Sequence, residues 1–116
     1  MLLKKYRLVK DKDFAKVARY GRRSYGPELS LKWIRNNQPY SRWGIIVSLK
    51  VDKKAVIRNK IKRRLRAILR ENIDSLVPGW DVIIITKDKI KELNYFQLQK
   101  IFLKILDKNN LIIHQK

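Results

Sequence analysis

The chain has 116 residues, of which 29 are Lys or Arg and ten are Asp or Glu, so its formal net charge is +19. This length suffices for one domain with a modest core, and we expect residues 1–116 to form a single domain. Because 45% of the residues are hydrophobic, a disordered basic arm is excluded. The absence of cysteine excludes disulfides and thiolate metal sites. The first residues do not resemble a signal peptide and no apolar run could span a bilayer, so we expect a cytoplasmic protein with no membrane partner.

The first element predicted along the chain is a short helix at residues 11–20. Asp11 or Asp13 can cap its start, and Gly21 suits its C-terminal end. Residues 22–27 contain glycine and proline and predict a loop.

Two strands are predicted next. Residues 29–34 alternate between apolar and other side chains, with Leu29, Leu31 and Trp33 on one face. Residues 36–41 have turn composition. Residues 43–49 form a nearly continuous apolar run, which predicts a strand buried on both faces.

The second half predicts a basic helix at residues 55–72, a strand at residues 80–86 and an amphipathic helix that begins after Asn94, its expected cap. The order is α-β-β-α-β-α, so the predicted fold class is α+β, with a small mixed β-sheet packed with helices in an α-β sandwich. Strand, basic helix and strand can form one crossover unit with residues 43–49 and 80–86 parallel. The general rule for such units predicts a right-handed crossover.

The basic helix is the most informative segment. Ten of the 21 residues from 50 to 70 are Lys or Arg, and only Asp52 is acidic. Apolar side chains recur through this segment at helical spacing, namely Ile57, Ile61, Leu65 and Ile68. The sequence therefore predicts a helix docked by a narrow apolar seam, with the rest of its circumference positive.

A self-contained active site is not indicated. The single histidine, His114, lies three residues from the end of the sequence, where we expect it to be exposed to solvent. The few acidic residues show no pairing typical of glycosidases or two-metal sites, and there is no glycine-rich phosphate loop. We therefore expect no catalytic residues, no metal ligands and no small-molecule substrate for the protein alone.

A polyanion is the expected partner. Solvated helix faces usually mix charges of both signs, which this segment does not do. A membrane surface is the weaker alternative, because the helix lacks an insertion face rich in Trp, Phe and Leu. Positive charge along the whole helix suits many phosphate contacts, and Asn59 could read a base edge or a 2′-hydroxyl. These features alone leave open whether the nucleic acid is RNA or DNA.

The sequence around this helix resembles a known family. Residues 44–48 (GIIVS), Lys50 and residues 55–66 (AVIRNKIKRRLR) are similar to the signature of the bacterial ribonuclease P protein subunit. Within it, residues 58–60 match the family's "RNR" element with lysine in third place. Arg7-Leu8, Phe14, Val17 and Gly21 resemble the family's opening helix, and residues 79–82 resemble the start of its later strand.

The resemblance implies a ribonucleoprotein in which a catalytic RNA subunit cleaves precursor tRNA with bound Mg²⁺. The protein would bind that RNA and the 5′ leader of precursor tRNA, promoting endonucleolytic leader removal, and would be inactive alone. The expected RNA-subunit contacts are Lys50, Lys53, Lys54, Arg58, Asn59, Lys60, Lys62, Arg63 and Arg66. The expected leader contacts are Phe14 and Lys32, although Phe14 is equally well interpreted as a core residue.

The sequence departs from the family pattern in several places. Ala18 stands where an aromatic residue is frequent, and Lys32 stands at a sheet position that is aromatic in some members. Leu49-Lys50 replaces a pair of lysines. The family also has a left-handed crossover around the basic helix, which we expect here in place of the general rule.

One alternative function of another class stays open at this point. A structural RNA-binding protein, similar to a small ribosomal protein, would show the same charge pattern without any part in catalysis.

Overall fold

The computed structural model describes residues 2–113, and within them three α-helices surround a four-stranded sheet. In chain order the elements are α1 (Asp11–Tyr20), β1 (Arg22–Ser24), β2 (Leu29–Arg35), β3 (Arg42–Ile46), α2 (Ala55–Glu71), β4 (Trp80–Thr86) and α3 (Tyr95–Lys108). Short 3-10 helices lie at Lys4–Tyr6, Ile73–Ser75 and Asp88–Glu92. The predicted α+β class is confirmed.

The sheet has the strand order β1-β2-β4-β3. β1 pairs with β2 and β2 pairs with β4 in antiparallel fashion, whereas β3 and β4 run parallel. The parallel arrangement predicted for the strands on either side of the basic helix is therefore confirmed. An extra parallel bridge joins Arg7 to Trp43, so the N-terminal segment partly covers the outer edge of β3.

The two faces of the sheet bury different apolar groups. On one face, α2 and α3 pack against the sheet in the main core, whose members include Leu31, Trp33, Trp43, Leu65 and Phe102. On the other face, α1 covers a smaller cluster of Leu8, Val17 and Ile83, with Phe14, Ile34 and Ile85 packed against it. The first helix is thereby held on the face opposite the basic helix.

The crossover through α2 is left-handed. The Trp43 side chain lies on the α2 face, and its carbonyl accepts a hydrogen bond from the Leu8 amide at 2.9 Å, on the side away from β4. In a strand of L-residues running upward, a residue whose side chain points to the viewer directs its C=O to the viewer's right. β4 therefore lies to the left of β3 when α2 is in front, so the general right-handed rule fails here and the family expectation holds.

The predicted loop at residues 22–27 is wrong for its first half. Arg22–Ser24 forms β1, which pairs with residues 31–33 of β2. The observed order of helices and strands is thus α-β-β-β-α-β-α, one strand more than predicted. This segment has no apolar alternation that could have indicated a strand, because it is a short edge strand whose side chains are mostly exposed.

Several predicted helix ends also differ in detail. Neither Asp11 nor Asp13 caps α1, because Lys10 occupies the N-cap position and makes no side-chain cap. Gly21 ends α1 as predicted, but its φ is −74°, so the reason for glycine is space: a Cβ would lie 2.5 Å from the Val17 carbonyl oxygen. The predicted cap of α3 is confirmed, since Asn94 and Gln97 form a reciprocal capping box.

Strand β3 is shorter than predicted. It ends at Ile46 rather than at residue 49, and Ile46 is 39% exposed. Of the predicted residues, Trp43, Gly44 and Val47 are buried and Ile45 is half-buried, whereas Ile46, Ser48 and Leu49 are exposed, so the expectation of burial on both faces holds only in part. The predicted exposure of His114 lies outside the described residues.

Candidate nucleic-acid interface

The basic helix α2 docks through the predicted apolar seam. Ile61, Leu65 and Ile68 are buried and Ile57 is half-buried against the core, together with Leu69, which is also buried. The predicted interface residues of the helix occupy the remaining circumference. Asn59, Lys60 and Arg63 are exposed, and Arg58, Lys62 and Arg66 are half-buried. The helix therefore presents cations along most of its length on a rigid support.

The loop before α2 presents three exposed lysines, Lys50, Lys53 and Lys54, and its backbone is tied to the helix. One guanidinium nitrogen of Arg58 donates to the carbonyls of Asp52 at 3.0 Å and Lys53 at 2.8 Å. The Asp52 carboxylate in turn accepts from the Lys54 amide at 2.8 Å. Arg58 thus shapes the loop that carries the lysines, a role that the sequence did not reveal because its acceptors are backbone carbonyls.

Three arginines line one cavity of about 260 Å³ beside α2. They are Arg63 and Arg66 from α2 and Arg7 from the N-terminal segment, with Ala67 at the wall. Burial, reinforced by the charge of Arg7, lowers the pKa of Arg66 below its ordinary value. The ion pairs within residues 2–113 involve Arg42 and Lys91 and none of these three arginines. Clustered guanidinium groups without a carboxylate partner fit an anion such as phosphate.

Arg7 is the residue of this cluster that sequence reasoning missed. It is 59 positions away from Arg66 in the chain, and its side chain is fixed by a 2.9 Å bond from Nε to the Leu2 carbonyl. No local pattern indicates such a neighbour. The pairing arises because the N-terminal segment runs alongside β3, through the bridge between Arg7 and Trp43.

Phe14 is both a packing residue and a cavity residue. Its half-buried ring packs against the Leu8, Val17 and Ile83 cluster. It also lines a cavity of about 140 Å³ that is shared with Arg7, Gly44 and Arg66. Phe14 therefore has the surroundings of a core residue on one side and of a cleft residue on the other. Arg7 and Arg66 line this cavity as well as the neighbouring one.

Lys32 lies on the same face of the sheet as Phe14. In the register of the sheet, Lys32 is opposite Ile83 and Ile83 is opposite Gly44, so the three form one row across β2, β4 and β3. With strands about 4.8 Å apart, Lys32 and Gly44 are separated by roughly 10 Å. Lys32 is half-buried in this row, next to Arg23 of β1. The two predicted leader contacts thus share a face without touching the same cavity.

Two other kinds of site find no support in the described residues. Within residues 2–113, no group of three or more His, Cys, Asp or Glu side chains is placed to hold a metal ion. No helix in the same range is long and apolar enough to cross a membrane.

Two sequence relatives illustrate the similarity of this chain to known proteins. The ribonuclease P protein component of a Cyanothece species is 39% identical and covers 84% of this chain and 86% of its own. The component from a Geobacillus strain is 38% identical, with 90% of each chain covered.

Solved structures agree with the sequence relatives. The RNase P protein of Staphylococcus aureus matches with a TM-score of 0.84 at 27% identity, over 91% of this chain and 96% of that one. The Thermotoga maritima protein matches with a TM-score of 0.81 at 29% identity, over 88% of this chain and 96% of that one.

The sequence profile of the family described as Ribonuclease P matches residues 2–110. The chain therefore belongs to the ribonuclease P protein family and is a protein component of ribonuclease P, a tRNA-processing endoribonuclease.

Proposed function

We propose that this protein binds the catalytic RNA of ribonuclease P and the 5′ leader of precursor tRNA, and so promotes endonucleolytic removal of the leader. The observation that carries the proposal is the cationic surface of α2. Its apolar seam is buried, while the rest of the helix and the loop before it present cations with Asp52 as the one acidic residue among residues 50–70. Without bound polyanion, such like charges repel one another.

The RNA subunit would contact the surface made by Lys50, Lys53, Lys54, Arg58, Asn59, Lys60, Lys62, Arg63 and Arg66. We add Arg7 to this set, because it lines the same cavity as Arg63 and Arg66. A phosphate in that cavity would neutralise three guanidinium groups that have no carboxylate partner among the described residues. It would offset the burial and, secondarily, the charge of Arg7 that together lower the pKa of Arg66. Lys53 and Lys54 would bind phosphates as point charges from a loop that Arg58 holds in place.

The leader would lie on the other face of the sheet, where Phe14 offers an aromatic ring and Lys32 a cation. The cavity at Phe14 is shared with Arg7 and Arg66. A leader base stacked on Phe14 would therefore have its phosphate close to guanidinium groups. The same arginines would link the leader to the RNA subunit, which suits a protein that positions substrate against a catalytic RNA.

The chemistry would belong to the RNA subunit. The described residues of this chain offer no cluster of metal ligands, so the Mg²⁺ of the holoenzyme would be held by the RNA. We further propose that residues 1–116 act as one RNA-binding domain in the cytoplasm.

Reconstitution tests the proposal. The purified chain is mixed with a bacterial ribonuclease P RNA and precursor tRNA at a Mg²⁺ concentration where the RNA alone is slow. We expect leader removal by the mixture and none by the protein alone. Cleavage by RNA-free protein, or a mixture no faster than the RNA alone, would contradict the proposal.

A further inference from the structure

A cavity of about 220 Å³ lies outside the interface proposed above, beside the start of β3. Its walls include Tyr6, Tyr40, Trp43 and Asp74. Drug-sized ligands usually occupy pockets of roughly 300 Å³ or more. The cavity therefore suits a smaller group, of the size of one heterocyclic ring system, and nothing in the proposed function uses it.

Two tyrosines line this cavity, and a lysine lies beside their rings. The rings of Tyr6 and Tyr40 form an edge-to-face pair with centroids 5.9 Å apart. The Lys5 ammonium lies 5.0 Å from the Tyr6 ring centroid and 5.6 Å from that of Tyr40. Aromatic rings beside a cation form the combination that binds an unpaired nucleotide, because the ring stacks on the base and the cation contacts the phosphate.

The carboxylate of Asp74 provides the cavity with hydrogen-bond acceptors. Asp74 is exposed, lines the cavity and takes part in none of the ion pairs within residues 2–113. An ionised carboxylate only accepts hydrogen bonds, and its two oxygens suit two adjacent donors. Among the RNA bases, guanine presents two adjacent donors, N1–H and N2–H, on its Watson–Crick edge.

Hydrogen bonds hold the loop that carries Tyr40 in the wall of the cavity. The Tyr40 carbonyl accepts from the Asn36 side chain at 3.2 Å. The next residue, Ser41, donates through Oγ to the Val77 carbonyl at 2.8 Å and accepts from the Trp80 amide at 2.9 Å. The loop that carries Tyr40 is therefore tied to the segment leading into β4, which reduces the ordering cost of binding.

The surrounding charge favours an anionic ligand over a cationic one. Tyr6 is flanked in sequence by Lys4, Lys5 and Arg7, and Arg7 lines the cavity of Arg63 and Arg66. A strand of RNA that extends from the α2 surface to the tyrosine pair would therefore contact cations along its whole path. A free organic cation would be repelled by the same field.

We propose that this cavity binds one unpaired guanine of a single-stranded RNA segment. The base stacks on one ring of the perpendicular tyrosine pair, Asp74 accepts from its N1–H and N2–H, and Lys5 contacts its phosphate. The inference rests on the RNA binding of the proposed function, but it concerns a site separate from both the α2 surface and the Phe14 cavity.

The test measures the affinity of the full chain for fluorescein-labelled RNA hexamers at fixed salt. One hexamer is all uridine, and two others carry a single guanosine or adenosine in the middle. We expect the guanosine hexamer to bind roughly tenfold more tightly than the other two, on the scale of a hydrogen bond to a charged acceptor, because guanine alone offers Asp74 two adjacent donors. Tyr40→Ala should remove most of this gain, whereas the control Tyr25→Ala should retain it. Tyr25 is likewise a tyrosine beside a lysine, with Lys87 Nζ 5.9 Å from its ring centroid, although it is exposed whereas Tyr40 is half-buried.

A second variant separates base recognition from charge. Asp74→Asn raises the net charge by one, so it should strengthen binding of the uridine hexamer slightly while abolishing the guanosine preference. Glu92→Gln makes the same charge change at an exposed site and should keep the preference. Because Asp74 is exposed, its substitution should leave the melting temperature unchanged, and it tests the site even if Tyr40→Ala fails to fold.

Each remaining outcome counts against the site. Equal affinity for all three hexamers, a guanosine preference that survives Asp74→Asn, or equal losses in Tyr40→Ala and Tyr25→Ala would overturn it. If the hexamers bind equally well, the RNA binding of the proposed function stands and only this site fails. If no hexamer binds even at low salt, both proposals fail.

Discussion

The ring of Phe14 fills the space that a side chain at position 44 would need. A Cβ on Gly44 would lie 2.5 Å from Phe14 Cζ and 2.6 Å from Cε1, closer than such atoms approach in proteins. Helix α1 therefore packs on β3 through the ring of Phe14, which lies against the backbone of Gly44. This contact fixes where Phe14 stands in the cavity that also includes Arg7 and Arg66.

The first prediction concerns this contact. Gly44→Ala should destabilise the fold by about 1–3 kcal/mol, because the ring must move out of its packed position. Phe14→Leu removes both atoms that would clash. The double variant should therefore be less destabilised than the sum of the two single changes, as measured by urea unfolding. Strictly additive effects would show that the two residues are not in contact.

A second prediction separates leader binding from packing. Phe14→Leu keeps an apolar side chain but loses the aromatic face, so its holoenzyme should bind leader-bearing precursor tRNA more weakly, by the roughly 1–3 kcal/mol of one stacked base. Binding of mature tRNA should not change, and the melting temperature of the protein should fall by a few degrees at most. An equal loss for both tRNAs would assign Phe14 to packing alone.

The sequence predicted the helix faces because they depend on local periodicity. Ile61, Leu65 and Ile68 are buried as their spacing requires, and the cations beside them remain on the surface. Arg7 and Arg58 could not be assigned in this way. Arg7 meets Arg66 only through tertiary packing, and Arg58 acts on backbone carbonyls that carry no side-chain signature.

The third prediction follows from the two roles of arginines on α2. Arg58→Ala removes two hydrogen bonds from a charged donor to loop carbonyls, so the free protein should lose about 1 kcal/mol of stability. Hydrogen exchange of the Lys54 amide, which bonds to Asp52 at 2.8 Å, should become faster. Arg63→Ala is the matched control: it should weaken binding of the RNA subunit and leave both stability and exchange unchanged. Identical behaviour of the two variants would show that Arg58 does not hold the loop.

The fourth prediction tests the apolar seam. Ile61 is 5% exposed, so Ile61→Ala should destabilise the fold by roughly 2–5 kcal/mol through lost packing. Val56→Ala is a control on the same helix, and it should be nearly neutral because Val56 is 78% exposed. Thermal unfolding measures both variants. A stable Ile61→Ala protein that had lost RNA binding would place this residue in the interface instead.

The last prediction concerns the salt dependence of binding to the RNA subunit. If the surface of α2 and its loop neutralise about six phosphates, the affinity should fall on the order of a thousandfold between 50 and 200 mM salt. Removing one phosphate contact should reduce the slope of log affinity against log salt by about one. We expect this change for Arg7→Ala as well as for Arg63→Ala, because both side chains line one cavity although only one belongs to α2. Lys100→Ala, an exposed cation of α3 outside the proposed interface, should leave the slope unchanged. If the slope is reduced in Arg63→Ala but unchanged in Arg7→Ala, Arg7 does not belong to the interface. If the slope falls equally in all three variants, net charge rather than this cavity governs binding.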